Sequence, residues 1–237
     1  WFEFMPADIP ALDESVAEDF KTVKIYRDLQ FGKLAHFVMT DERLYRADHI
    51  IPEAVDNPLT PTTDQLGSIG SRYFVPEDKH GQAQQGKMIA AIKGAFDSLP
   101  NTDANKLVLA GILTKLVADM TGSTLTAEEK AIFNEVGLAL VSVLGETQRN
   151  WWKQKMATSS ATWKFWGNEV SLLRMALNLK AIPAIVAAGE KSPALKAMIN
   201  SYLINADQWD GYSAERANLM SFLASNNIKN VVAVTGD

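Results

Sequence analysis

The chain has 237 residues, 47% of them hydrophobic, and a net charge of -5. That apolar content suffices for one large core or two small ones, and the acidic balance argues against a general phosphate-backbone binder, which needs a basic face. There are no cysteines, so disulfides, thiolate metal sites and cysteine nucleophiles are excluded together.

Thr22 to Arg27 alternates polar and apolar residues and predicts a strand, Phe31-Gly32-Lys33 a turn, and Leu34 to Met39 a buried strand that ends at Asp41. Pro52 to Gly81 is rich in Pro, Gly, Asp and Thr and reads as loop. Gly86 to Leu99, Ala104 to Met120 and Ala127 to Leu144 carry apolar residues at helical spacing. Thr126-Ala127-Glu128-Glu129 forms a capping box for the third helix, with Gly122 and Gly145 as stops. Because strands resume only after this block, residues 82–143 are expected to be a helical insertion. Thr147 to Met156 predicts a short helix, and Ala161 to Gly167 a strand ending at Asn168. Two helical segments flank Ser192-Pro193, a good cap with proline at the first helical position. Ser213 is expected to cap Ala214 to Ala224, leading to a buried strand, Val231 to Val234, that runs into Thr235-Gly236-Asp237. The alternation of helix and strand predicts an α/β layer structure. No apolar run approaches the roughly 18 residues of a membrane span; the longest candidate, Ala181 to Gly189, is interrupted by Pro183.

Three predicted strands thus end on Asp41, Asn168 and Asp237. If the strands are neighbours, these side chains converge on one edge, where oxygen donors suit hard cations and a bound cation can activate water. Asp and Asn after a strand also serve as turn formers or caps, and spacing alone leaves both readings open. Asp41 to Asp48 gathers Arg43, Tyr45 and Arg46. The planar guanidinium suits phosphate oxygens, but such a run can also pair internally, Asp41 with Arg43 and Asp48 with Arg46. Trp151, Trp152, Trp163 and Trp166 predict core packing. His36, His49 and His80 lack the spacing of a zinc site, and His36 is expected to be a satisfied strand residue. There is no P-loop and no Gly-x-Ser-x-Gly elbow.

Several segments together resemble the PhoD-type alkaline phosphatases and phosphodiesterases, a branch of the calcineurin-like metallophosphatases. They are Ile25-Tyr26-Arg27 with Phe31-Gly32, Asp41 to Asp48, Leu144 to Trp152, Ser160 to Lys164, Gly167 to Val170, the Asp-x-Trp-Asp-Gly-Tyr segment beginning at Asp207, and the terminal Thr-Gly-Asp. About half of the chain is covered and the order is the family's. The helical block is not covered. The resemblance implies that residues 1–237 form part of one metallophosphatase domain, a β-sandwich flanked by helices, with metals at the carboxyl ends of the strands. It implies hydrolysis of phosphate monoesters or diesters by metal-activated water, in an enzyme that is secreted or periplasmic.

Carried over by position, Asn168 and Asp237 are the implied metal ligands, Arg43 and Arg46 the implied substrate contacts, and Asp41 and Asp210 supports behind them, Asp210 by orienting a ligand or binding Arg216. The implied cofactors are two or more divalent or trivalent ions, calcium, manganese, iron or zinc. Oxygen donors favour calcium, manganese or iron(III) over a nitrogen-rich zinc site. Gly167-Asn168-Glu169 is not the superfamily's Gly-Asn-His motif. The counterpart of that motif and the first Gly-Asp motif are expected upstream of Trp1, so the chain reads as a piece of a larger enzyme, cut at both edges. The competing reading is a non-catalytic binding or structural domain that works through its helical insertion. Lys87, Lys93, Lys106 and Lys115 are too dispersed there for a strong anionic-membrane face. Neither reading includes sequence-specific nucleic-acid binding or a transmembrane segment, and neither fixes an oligomeric state.

Overall fold

The computed structural model describes residues 24–47, 73–119 and 122–236. Strands β1 (Arg27–Phe31) and β2 (Ala35–Met39) form an antiparallel hairpin that pairs Phe31 with Ala35. Gly32 closes its turn in the left-handed region, at φ 54°, where a side chain would be strained. The first strand therefore lies further along the chain than the Thr22 to Arg27 alternation predicts. Register follows from the turn and from the buried face of β2, which outweigh local alternation.

The other strands are β3 (Tyr73–Pro76), β4 (Trp163–Gly167), β5 (Ala176–Asn178), β6 (Ser201–Asn205) and β7 (Val231–Val234). One sheet has the order β1-β2-β4-β7, with β2, β4 and β7 mutually parallel. The second is antiparallel, in the order β3-β6-β5. Its strands are absent from the sequence reading, which places β3 inside a loop and passes over β5 and β6. Short strands with mixed burial carry little periodic signal.

Helices α1 (Glu77–Ser98), α2 (Ala104–Ala118) and α3 (Ala127–Leu140) form the helical block. Residues 73–81, read as loop, are instead β3 and the first turn of α1; residues 48–72 lie outside the described set. Glu77 and Asp78 favour the positive end of α1, and burial of His80, Gln84 and Met88 outweighs the low helix propensity of Gly81 and Gly86. The capping box at Thr126 is present, with Thr126 N donating to Glu129 Oε2 at 2.8 Å and Glu129 N to Thr126 Oγ1 at 3.2 Å. α3 stops at Leu140 rather than Leu144, because the Glu215 carboxylate takes the amides of Val143 and Leu144.

Next come α4 (Gly145–Thr158), α5 (Pro183–Gly189), α6 (Pro193–Met198) and α7 (Ser213–Ser225). Ser192 caps α6 as expected. Ser213 does not cap α7: it lies inside the helix, and its hydroxyl donates to Gln84 Oε1 at 3.1 Å.

The main core joins Val38, Trp152, Met156, Trp166, Trp209, Tyr212 and Leu219. Trp152 and Trp166 meet at 4.7 Å, and Trp166 and Trp209 edge to face at 5.7 Å. Ile92, Leu109, Ile112, Leu116 and Leu125 form a separate cluster within the helical block. Trp163 departs from the core reading and is 43% exposed, because side chains alternate along β4 and Trp166 takes the buried face. The same alternation exposes Leu29, Phe31, Phe37, Val232 and Val234 among the described residues. Phe37 and Phe165 stack there at 4.8 Å. Among the described residues β7 stands last in its sheet with Val234 54% exposed, where its apolar run predicts burial.

Candidate active site

The parallel pairing brings the ends of β2 and β4 out on one edge, where Thr40 N donates to Gly167 O and Asn168 N to Val234 O, each at 2.9 Å. Asp41 and Asn168, expected to converge, both follow these neighbouring strands and both are buried. Asp237 lies outside the described residues. Carboxyl ends of parallel strands are the usual location of sites in open α/β sheets.

Asp41 organises the loop that follows β2. Its Oδ1 accepts from the amides of Arg43 and Leu44, both at 2.9 Å, while Oδ2 is buried without a hydrogen-bond partner among the described residues. Gln148 on α4 clamps the Asp41 backbone from both sides: its Oε1 accepts from Asp41 N at 2.7 Å and its Nε2 donates to Asp41 O at 2.8 Å. At the far end of the loop, Ala47 N donates to Ser142 O at 2.7 Å and the Tyr212 hydroxyl to Ala47 O at 3.0 Å.

Glu42 and Glu169 join the two strand-end loops. Glu42 is fully buried; its Oε2 accepts from Val170 N at 2.9 Å, and its own amide donates to Glu169 Oε2 at 3.2 Å. Burial, helped by the negative charge of Glu169, pushes the Glu42 carboxyl up to about 8 against the opposing bonds from Val170 and Thr40. Its surroundings fit a neutral group. Thr40 Oγ1 accepts from Trp166 Nε1 at 2.9 Å and lies 3.2 Å from both Gly167 O and Glu42 Oε1. With its single proton on the Gly167 carbonyl, Thr40 can accept one from a protonated Glu42. Glu169 is also raised, by burial first and then by Asp41, against the pull of Arg43 and Arg46.

Asn168 is held at both ends of its amide. Oδ1 accepts from Trp209 Nε1 at 2.7 Å, and Nδ2 donates to Val170 O. An amide oxygen has two lone pairs, so Asn168 can offer one further acceptor direction. Among the described residues, no group of three or more His, Asp or Glu is placed to hold a metal ion.

Arg43 and Arg46 both reach Asp207, on the far side of the loop. Arg46 Nη1 lies 3.0 Å from Asp207 Oδ1 and donates to Asp207 O at 3.1 Å, and Arg43 Nη1 is 3.7 Å from Asp207 Oδ2. The Arg46 side chain is 14% exposed and that of Arg43 52%, so one guanidinium braces the loop and the other faces outward. Asp48 lies outside the described residues. Asp210 accepts from Arg216 Nη1 and from Met175 N, each at 2.7 Å, and of its two expected tasks it performs the binding of Arg216. The adjoining Gly211 has no room for a side chain: a Cβ would lie 1.8 Å from Ala206 O. Gly211→Ala is expected to cost about 1–3 kcal/mol and to shift the Trp209 indole; urea denaturation together with the indole proton resonance checks this, and an unchanged midpoint would refute it.

His36 is a satisfied strand residue as expected, 2.9 Å from Ser159 Oγ and 3.0 Å from Asp28 Oδ2. Burial pushes His80 on α1 down, against the pull of Asp210. Sequence reasoning missed Glu42, Gln148, Glu169 and Asp207 as parts of this site. The available signal was the matched placement of Glu42 and Glu169 just after two strands.

A family model described as PhoD-like phosphatase matches residues 1–237. Alkaline phosphatase D of Bacillus subtilis (strain 168) is 26% identical over 96 residues, which are 40% of this chain and 13% of that protein. A solved structure described as "Structure of PhoD" aligns over 100% of this chain and 26% of its own, at 19% identity and a TM-score of 0.47. This chain thus spans a minor part of either relative's length.

Proposed function

This chain belongs to the PhoD-like phosphatase family, and from that premise we propose that it forms part of the catalytic unit of a phosphate-ester hydrolase. The observation that carries the reading is the shared edge at the ends of β2 and β4, with Asp41, Asn168 and an outward-facing Arg43 on it. Arg43 would hold phosphate oxygens through its planar fork, with Arg46 and Asp207 bracing the loop behind it. Gln148 and Asp41 would fix the loop backbone, and Asp210 with Arg216 the segment that carries Trp209.

Metal dependence is part of this proposal. Asn168 and Asp237 would each give an oxygen, with further ligands from outside the described residues and with calcium, manganese or iron(III) favoured over zinc. Such ions, when bound, would polarise a phosphoryl oxygen and acidify water. The sandwich architecture also belongs here, supported by the open apolar face of the β1-β2-β4-β7 sheet, which a second layer would bury. The helical block of residues 82–143 would be an insertion in that domain, consistent with its separate core cluster. A secreted or periplasmic location follows from the same family reading. No helix among the described residues is long and apolar enough to cross a membrane.

The test uses a protein of full family length that carries these residues. Hydrolysis of nitrophenyl phosphate is expected, with loss on chelation. Asn168→Ala and Asp237→Ala are expected to lower bound metal, and Arg43→Ala to raise KM roughly tenfold, consistent with loss of a charge-assisted bond of about 1.5 kcal/mol. Full metal content in either ligand variant removes that residue from the site, and no hydrolysis of any phosphate ester by the metal-loaded protein removes the reading.

A further inference from the structure

We propose that Glu42 is a positioning residue for the candidate site: it holds the Val170 peptide so that Asn168 presents its amide in one orientation. The kinetic consequence rests on the phosphate-ester reading above, whereas the geometric one stands apart from it.

The argument starts at Val170, whose peptide groups are gripped by two side chains. Its N–H donates to Glu42 Oε2 at 2.9 Å, and its C=O accepts from Asn168 Nδ2. Among the described residues, the Asn168 side chain bonds to this carbonyl and to Trp209 Nε1, at 2.7 Å. An amide so held cannot flip, because a flip would set Nδ2 against the indole donor and Oδ1 against the Val170 carbonyl. The segment after β4 is thereby tied to the segment after β2. The tie also works in reverse, since Glu169 Oε2 accepts from Glu42 N at 3.2 Å.

Behind Glu42 the chain of bonds continues into the core, through Thr40 Oγ1 to Trp166 Nε1 at 2.9 Å. Glu42, Trp166 and Trp209 are all fully buried, so water cannot replace a lost partner there without entering the core. If Glu42 is removed, Val170 N–H loses its acceptor, and the backbone at Val170, where the peptide bearing that N–H joins the one bearing the C=O, loses its anchor. Asn168 then loses the fixed carbonyl that orients it. Glutamine keeps the shape of the interaction: its carbonyl oxygen accepts from Val170 N and its Nε2 donates to Thr40 Oγ1. Methionine fills a similar volume and offers neither.

The experiment compares Glu42→Gln, Glu42→Met and wild type at pH 7 by the ¹⁵N-indole resonances of tryptophan, with Trp209 assigned through Trp209→Phe. The Trp209 resonance is expected to move or broaden in Glu42→Met and to stay in place in Glu42→Gln. In the full-length protein, Glu42→Met is expected to lower kcat about 10- to 100-fold, the range found for residues that orient a functional group, with KM changed by less than about threefold and activity rescued in Glu42→Gln. Leu116→Ala, a cavity variant in the separate helical cluster, serves as the comparison for destabilisation alone and is expected to leave both readouts unmoved. A Trp209 resonance in Glu42→Met that superimposes on wild type overturns the proposal, as does a Glu42→Gln variant that behaves like Glu42→Met. If Glu42→Met does not fold, Glu42→Gln decides: slow exchange of the Val170 amide with an unmoved Trp209 indole supports the positioning role, and fast exchange overturns it. Absence of hydrolysis in the wild type sinks the phosphatase reading alone, since the indole readout needs no substrate.

Discussion

Replacing Glu215 with alanine is expected to destabilise the protein by about 3–5 kcal/mol, the cost of stripping the partner from a buried charge. Glu215 on α7 is fully buried, and its carboxylate accepts from Ser142 Oγ at 2.7 Å, from Arg149 Nη1 at 3.3 Å and from the amides of Val143 and Leu144. Burial pushes this carboxyl up, while Ser142, the Val143 amide and Arg149 hold it down. Without it, the carboxylate left to Arg149 among the described residues is Glu135, at 3.8 Å and largely exposed. The two amides and the hydroxyl lose their acceptor at the same time. The damage reaches the candidate site, because Ser142 O holds Ala47 and the 141–144 turn leads into α4, which carries Gln148. Equilibrium urea unfolding measures the loss. Glu215→Leu combined with Arg149→Met should recover part of it, since an apolar pair of similar volume replaces a buried ion pair at little cost. A Glu215→Ala loss below about 1 kcal/mol, the scale of an exposed ion pair, would show that the network is not what holds α4, α7 and the turn together.

Glu42→Gln is expected to stabilise the protein in a pH-dependent way. The folded carboxyl, at about 8, lies above its ordinary value of 4.5, so the folded state holds a proton that the unfolded state releases. The contribution of that proton is fully present below about pH 4.5, is lost progressively between 4.5 and 8, and is gone above 8. Glutamine is neutral throughout and keeps the same bonds. The stability of Glu42→Gln relative to wild type should therefore rise across that window by up to about 1.4 kcal/mol per pH unit and then level off. Urea midpoints for both proteins at pH 5, 6.5 and 8.5 measure it. Parallel curves across the window would mean that Glu42 is ionised in the folded protein at neutral pH and that the Thr40 proton points at Glu42 rather than at Gly167 O.

Much of the local structure is legible in the sequence. The capping box at Thr126 and Glu129, the Ser192-Pro193 helix start, the β2 and β4 strands and the polar residues that end them all depend on side chains within a few positions of one another. The order of short segments along the chain is enough to indicate the family, because those segments include the turn and loop residues of the strand ends. Less legible was the three-stranded sheet, whose β5 has only three residues and no period to read. The exposure of Val232 and Val234 on β7 is not legible in its apolar run, because composition does not say which face of a strand is covered. The same holds for Trp163: of two tryptophans on opposite faces of one strand, only packing selects which is covered.

The candidate site shows the same division. Its strand-end residues, Asp41 and Asn168, could be named from the chain, since an apolar run and the polar residue after it are adjacent. Their partners could not. Val170 meets Glu42 across 128 residues, and Asp207 meets Arg46 across 161. The sequence by itself determined the capping box at Thr126, the helix start at Ser192-Pro193, the β2 and β4 strands, the residues that stand at their ends and the family that the chain resembles, because these follow from short-range spacing and side-chain type. Only the tertiary structure decided that Arg46 braces while Arg43 faces outward, that the buried Glu42 ties the two strand-end loops together, and that Glu215 ends α3. Each of these depends on which distant groups share a water-excluded space, and desolvation there, rather than the residue's own chemistry, sets its charge and its role.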